Sequence, residues 1–167
     1  TTTTWVLGAA LAERGRTVLL VDMDPQASLT VACGVEDPEG RSIAEVLDDS
    51  DEVTLKDVIR PIGERLYLAP SDIELSRTEL GLVTRMARES VLRRALSGLK
   101  VDYVLIDCPP SLALLTVNAL VAADQVLIPS TPEYLALRGI ALIYDSIRRV
   151  RRNLNDDLKI LGVLITF

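Results

Sequence analysis

Three carboxylates and a run of hydroxyls carry most of the chemistry available to these 167 residues. In TVLLVDMDPQAS a short apolar run closes on Asp22 and Asp24 before a proline. In VDYVLIDCPPS a second apolar run closes on Asp107, followed by Pro109, Pro110 and Ser111. In an open α/β sheet the carboxyl ends of the strands face the ligand crevice. A carboxylate there is costly unless it meets a cation or good donors. An apolar strand closed by Asp is a pattern that holds Mg2+ beside nucleotide phosphates, directly or through water. The same place suits an Asp that caps a turn, and for Asp107 alone the two readings weigh equally. Strand alternation puts Asp22 and Asp24 on one side of their strand. The hydroxyls of Thr1 to Thr4 open a segment that runs on as a helix. Thr is a mediocre helix former, but a helix N-terminus collects anions and metal-bound phosphate through its free N–H groups. Taken alone, TTTT reads as a frayed end; beside two strands closed by Asp, it reads as part of a nucleotide site.

Those residues need elements to hold them. Short β-branched apolar runs occur at 17–22, 65–70, 101–110, 125–130 and 158–167. Most are continuously apolar, as strands buried on both faces are. Between them lie helical patterns: LGAALAERG with a glycine stop, 74–99 with breaks, SLALLTVNALVAA behind a candidate N-cap at Ser111, and EYLALRGIALIYDSIRRVRRNL. Strand and helix in alternation predict an α/β fold, a mostly parallel sheet flanked by helices on both faces. No repeat or flexible linker divides the chain, so residues 1–167 are expected to form one domain. A further strand is expected upstream of Thr1, and more chain beyond Phe167, so that the domain is incomplete at both ends.

Composition narrows the chemistry. The residues include no histidine, so no His-based catalysis or His-ligated metal can come from them. Cys33 and Cys108 match no zinc or redox spacing, which suits a reducing compartment. No apolar run is long and uncharged enough to cross a bilayer, and no membrane association is expected. The net charge of −6 is uneven: 7 basic and 16 acidic residues up to Val83, then 11 basic and 8 acidic. The acidic stretch EVLDDSDE (Glu45 to Glu52) reads as solvated surface. Arg148, Arg149, Arg151 and Arg152 read first as an exposed helix face and second as a nucleic-acid patch.

At this point the text resembles the ParA/Soj-type chromosome- and plasmid-partitioning ATPases, of the deviant Walker A, MinD-like P-loop class. TTTT followed by LGAALAERGRTVLLVDMDPQASLT continues that family's text from the residue after its signature lysine. YVLIDCPPSLALLTVNAL, VLIPSTPEYLALRGI and RRVRRNLNDDLKILGVLITF match later blocks. Two departures stand out. The glycine-rich KGGVGK loop with its lysines is not among these residues, and Trp5 and Val6 stand where the family usually has a small residue and an Asn.

The resemblance implies ATP and Mg2+ as cofactors. It assigns Mg2+ ligation to Thr1 and Asp107, with Asp22 just outside them, and phosphate contacts to Thr2. Pro109, Pro110 and Ser111 would form the loop that senses the γ-phosphate, and Asp24 would orient the attacking water. It further implies a homodimer formed on ATP binding, non-specific DNA binding, a ParB-type partner that stimulates hydrolysis, and a cytoplasmic, nucleoid-associated location. Three alternatives remain at this stage. They are a ParA-like binding module without ATP, a MinD-like membrane-associated ATPase, and a nucleotide-binding domain of the cobyrinic acid a,c-diamide synthase type.

Overall fold

A computed structural model describes residues 1–35, 41–48 and 53–166. The chain opens with helix α1 (Thr2–Glu13), which ends as its sequence predicts. Gly15 takes φ +78°. The N–H groups of Gly15 and Arg16 then bond back to the carbonyls of Ala12 and Leu11 at 2.8 and 3.1 Å. This Schellman closure needs a left-handed residue, which glycine adopts without strain. Strand β1 (Val18–Asp22) follows, and every residue in it is buried. Burying Val18, Leu19, Leu20 and Val21 completely stabilises the fold by roughly 1.5–3 kcal/mol per side chain. Asp22 is therefore carried on the best-anchored strand of the molecule.

Three short helices come next: α2 (Ser28–Ala32), α3 (Ile43–Leu47) and α4 (Leu55–Val58). Strands β2 (Arg60–Gly63) and β3 (Leu66–Ala69) form a tight hairpin. Helix α5 (Glu74–Leu82), a 3-10 turn (Arg88–Ser90) and α6 (Val91–Leu96) lead into β4 (Tyr103–Asp107). Helix α7 (Leu114–Ala122), β5 (Gln125–Ser130), the long α8 (Tyr134–Asn153) and β6 (Lys159–Ile165) complete the described chain.

The first sheet has strand order β2-β3-β1-β4. Strand β1 is parallel to both β3 and β4, while β2 is an antiparallel edge. Pro61 sits on that edge strand, where its missing N–H is tolerated. Strands β5 and β6 form a second, parallel pair with a register shift between Val126 and Leu127. An α/β architecture with a mainly parallel sheet is thus present, as expected.

Helix α1 packs tightly on β1: a Cβ on Gly8 would lie 2.6 Å from the Leu20 side chain. Trp5 is half-buried against the cluster of Val18, Leu20, Leu29, Leu66 and Leu68, so the unusual residue at this position fills core space. Val6 is 57% exposed, and nothing in the structure explains it.

The helical pattern over 74–99 is broken, as expected, into α5, the 3-10 turn and α6, with Ala87 at φ +53° ahead of the turn. Other expectations need correcting. The acidic stretch is not merely solvated. Ser42 and Glu45 form a capping box that starts α3, and Val46 and Leu47 are buried; residues 49–52 lie outside the described residues. Strand β6 is not buried on both faces: it leaves Leu161 and Ile165 at 63% and 60% exposure, and among the described residues it pairs with β5 alone. Phe167 lies outside the described residues.

Candidate metal and nucleotide site

The parallel register pairs Asp22 directly with Asp107, so the ends of β1 and β4 present their carboxylates on one rung of the sheet. The first turn of α1 lies over Asp107. Thr1 Oγ1 donates to Asp107 Oδ2 at 2.7 Å, and Thr4 Oγ1 donates to Asp107 Oδ1 at 2.9 Å. The Thr1 backbone nitrogen is also 2.7 Å from Oδ1. A helix N-terminus, two hydroxyls and a carboxylate only 5% exposed therefore converge. These are hard oxygen donors, the set that suits Mg2+ rather than a soft metal. Among the described residues no group of three or more His, Cys, Asp or Glu side chains forms a metal cage. Mg2+ commonly takes only one or two carboxylates and completes its shell with water and phosphate oxygens, so the donor set fits it.

Asp22 is held differently. It is fully buried. Its Oδ1 accepts from the Asp24 N–H at 3.1 Å. Its Oδ2 accepts from the Thr30 N–H and the Thr30 hydroxyl at 2.9 and 2.8 Å. Burial pushes the Asp22 carboxyl above its ordinary value; the Thr30 and Asp24 bonds oppose that shift, and the neighbouring Asp107 charge adds to it. With these bonds made, Asp22 shapes the 23–30 segment and faces Asp107 from outside the hydroxyl cluster. The half-buried Cys33 thiol is pushed up to about 11, by burial first and then by the Asp22 and Asp107 charges.

Asp24 lies beyond β1, which ends at Asp22, so strand alternation does not extend to it. Its Oδ1 accepts from the Gln26 N–H at 2.9 Å, and its carbonyl accepts from the Ala27 N–H. Ala27 takes φ +53° at the entry to α2, a conformation that costs a non-glycine residue roughly 1 kcal/mol. Thr2 is exposed in the first turn of α1. Pro109 is half-buried, and Pro110 and Ser111 are exposed, in the connection from Asp107 to α7. Ser111 is not the helix cap: α7 begins at Leu114 with Ala113 at the N-cap position. The Ser111 carbonyl instead accepts from the Thr116 hydroxyl at 2.6 Å. The four basic residues Arg148, Arg149, Arg151 and Arg152 are exposed on α8.

The structure thus brings Thr1, Asp22 and Asp107 together and sets Asp24 and 109–111 in the loops that follow the two strand ends. It adds Thr4, which lies one turn from Thr1, and Thr30, which locks Asp22. Ser71 also joins: its N–H donates to Thr30 Oγ1 at 2.9 Å, while its buried hydroxyl has no hydrogen-bond partner among the described residues. Thr30 closes the DMDPQASLT stretch that carries the family resemblance; Ser71 had no sequence signal.

Comparison with known proteins identifies the family and the fold. A family model described as an AAA domain, AAA_31, matches residues 1–160. An uncharacterized protein of Mycobacterium tuberculosis is 49% identical over 170 residues, covering 99% of this chain and 53% of that protein. The sporulation initiation inhibitor protein Soj of Bacillus subtilis is 46% identical over 171 residues, covering 99% of this chain and 66% of Soj. The chain therefore spans about half to two-thirds of the length of such relatives. Among solved structures, cobyrinic acid a,c-diamide synthase from Mycobacterium smegmatis, with bound ADP and magnesium, superposes with a TM-score of 0.92. It is 43% identical, over 98% of this chain and 67% of that one.

Proposed function

The chain belongs to the AAA-domain family of ParA/Soj-type ATPases, and from that membership we propose that it forms the nucleotide-binding part of an ATP-dependent dimerisation switch in DNA segregation. One observation carries the reading: the first turn of α1 and the end of β4 meet at Asp107, through the Thr1 and Thr4 hydroxyls. Thr1 and Asp107 are the residues that would hold Mg2+, and Thr2 would contact phosphate oxygens. Bound Mg2+ supplies positive charge against the phosphates, which phosphoryl transfer needs more than covalent chemistry. Asp24 orients the attacking water. Asp22, bonded to the Asp24 N–H and to Thr30, fixes the loop that carries Asp24. Pro109, Pro110 and Ser111, directly after Asp107, respond to the γ-phosphate.

In the complete protein this site would drive a cytoplasmic, nucleoid-associated switch. ATP joins two copies, the dimer binds DNA without sequence preference, and a ParB-type protein stimulates hydrolysis. Arg148, Arg149, Arg151 and Arg152 offer one exposed basic face for DNA on an otherwise acidic chain. Asp24→Ala in the complete protein should abolish hydrolysis while leaving ATP binding intact; unchanged turnover removes Asp24 from its role. ATP-dependent DNA retention should weaken steeply with salt, and a flat response counts against the DNA arm.

The likeness to the Mycobacterium smegmatis structure favours a second reading, a nucleotide domain that activates a carboxylate for amidation. ATP turnover that requires a corrinoid acid and an amide donor, and ignores DNA, would favour it.

A further inference from the structure

The loop 108–113 leaves Asp107 at one end and enters α7 at the other. Helix α7 has no side-chain cap of its own at Ala113. Its first-turn N–H groups still need acceptors. The acceptor comes from a distant element: Glu79 Oε1, on α5, accepts from the Leu115 N–H at 3.0 Å. A carboxylate at a helix N-terminus is also favoured by the helix dipole. Nearby, Thr116 Oγ1 donates to the Ser111 carbonyl and folds the loop back onto α7. One turn further along, Asn118 is fully buried. Its Nδ2 donates to the Arg88 and Leu114 carbonyls at 2.9 and 3.0 Å, and its Oδ1 accepts from the Leu92 N–H at 3.3 Å. Asn118 thus pins the body of α7 to residues 88–92, whereas Glu79 alone ties its starting turn to α5 among these bonds.

We propose that Glu79 is a positioning residue that sets the loop 108–113 by capping α7 from α5. The proposal rests on the nucleotide-site reading of Asp107 and its loop. Glu79 is not among the residues proposed to hold nucleotide or metal; it acts through the α7 start and Ser111. A displacement of α5 would then reach the loop through one hydrogen bond.

The test uses the complete protein and the variants Glu79→Ala and Glu79→Gln. Hydrogen exchange over 111–116 should rise roughly fivefold in Glu79→Ala, as expected for a lost cap, and recover in Glu79→Gln, which keeps an acceptor oxygen. Exchange in β1 should not change. Affinity for MgADP should stay within about twofold, while the preference for a non-hydrolysable ATP analogue over ADP should fall roughly fivefold. Unchanged exchange in Glu79→Ala overturns the proposal. An equal loss of both nucleotides also overturns it, because it marks general damage. If the wild type binds neither nucleotide, the functional reading fails, and the exchange result still decides whether Glu79 holds the loop.

Discussion

Asp22 and Asp107 occupy the same rung of the sheet, at the ends of adjacent parallel strands, yet their partners are of different kinds. Asp22 is bound by its own downstream segment. Two of its three donors are backbone N–H groups, which cannot turn away without unfolding the loop. Asp107 is bound by two threonine hydroxyls and the Thr1 nitrogen, all from a segment more than a hundred residues away in sequence. A hydroxyl is donor and acceptor at once, so Thr1 and Thr4 can rotate and offer lone pairs to a cation that takes their place on the carboxylate. Both carboxylates are buried, so burial does not distinguish them. The rotatable hydroxyls on Asp107 are what support the proposed metal role there.

That contrast can be broken or sharpened by mutation. The largest effect should come from Asp107→Ala in the complete protein. Mg2+-dependent ATP turnover is expected to fall roughly 100- to 1,000-fold, as when one electrostatic group is lost from a reacting site. Turnover near wild type would break the contrast at once.

Asp22→Ala should show the opposite pattern. It orphans the Asp24 and Thr30 N–H groups and the Thr30 hydroxyl, and should cost about 3 kcal/mol of stability in denaturant titration. A loss of activity with unchanged stability would move Asp22 into the metal's reach.

A smaller pair of effects distinguishes the hydroxyls. Thr30→Val removes a bond to Asp22 and the acceptor of the Ser71 N–H, and should cost about 1–2 kcal/mol. Thr4→Val should cost less, because its partner keeps the Thr1 bonds. Equal costs would erase the distinction between the two clusters.

The smallest effect is in pH. Burial holds the Asp22 carboxyl above its ordinary 3.8, so the folded protein keeps this proton where the unfolded chain has lost it. Stability from this group is therefore lost as pH rises from 3.8 through the raised value. Asp22→Asn lacks that slope, so the wild type should lose ground to the variant across this window. A constant gap, or one that moves the other way, contradicts the assignment.

The parts of the fold that showed in the sequence are those set by local pattern. VLLVD and YVLID are apolar runs closed by Asp, and they became the paired strands that carry the site. Gly15 stopped α1 because only the local backbone decides that turn. The β2–β3 hairpin was missed because its left-handed position is filled by Arg65, at φ +57°, where an Asn-Gly or Asp-Gly pair would have marked it. The start of α7 was misplaced for a different reason. Ser111 has the chemistry of a cap, but Glu79 supplies the bond from 36 residues away, and no local rule registers a partner at that distance. At the site, Thr1, Asp22 and Asp107 could be read from residue type and position. Thr4 was legible only as one of the TTTT run, and its bond to Asp107, like the place of Ser71, came from three-dimensional contact.

The account turns on Asp107 as the metal end of the site. The most direct measurement is calorimetric titration of a non-hydrolysable ATP analogue into the complete protein, with Mg2+ and with EDTA, for wild type and Asp107→Ala. Wild type should bind at least about tenfold more tightly with Mg2+, and the variant should bind equally with and without it. A variant that keeps the full Mg2+ dependence would contradict the account and place the cation elsewhere.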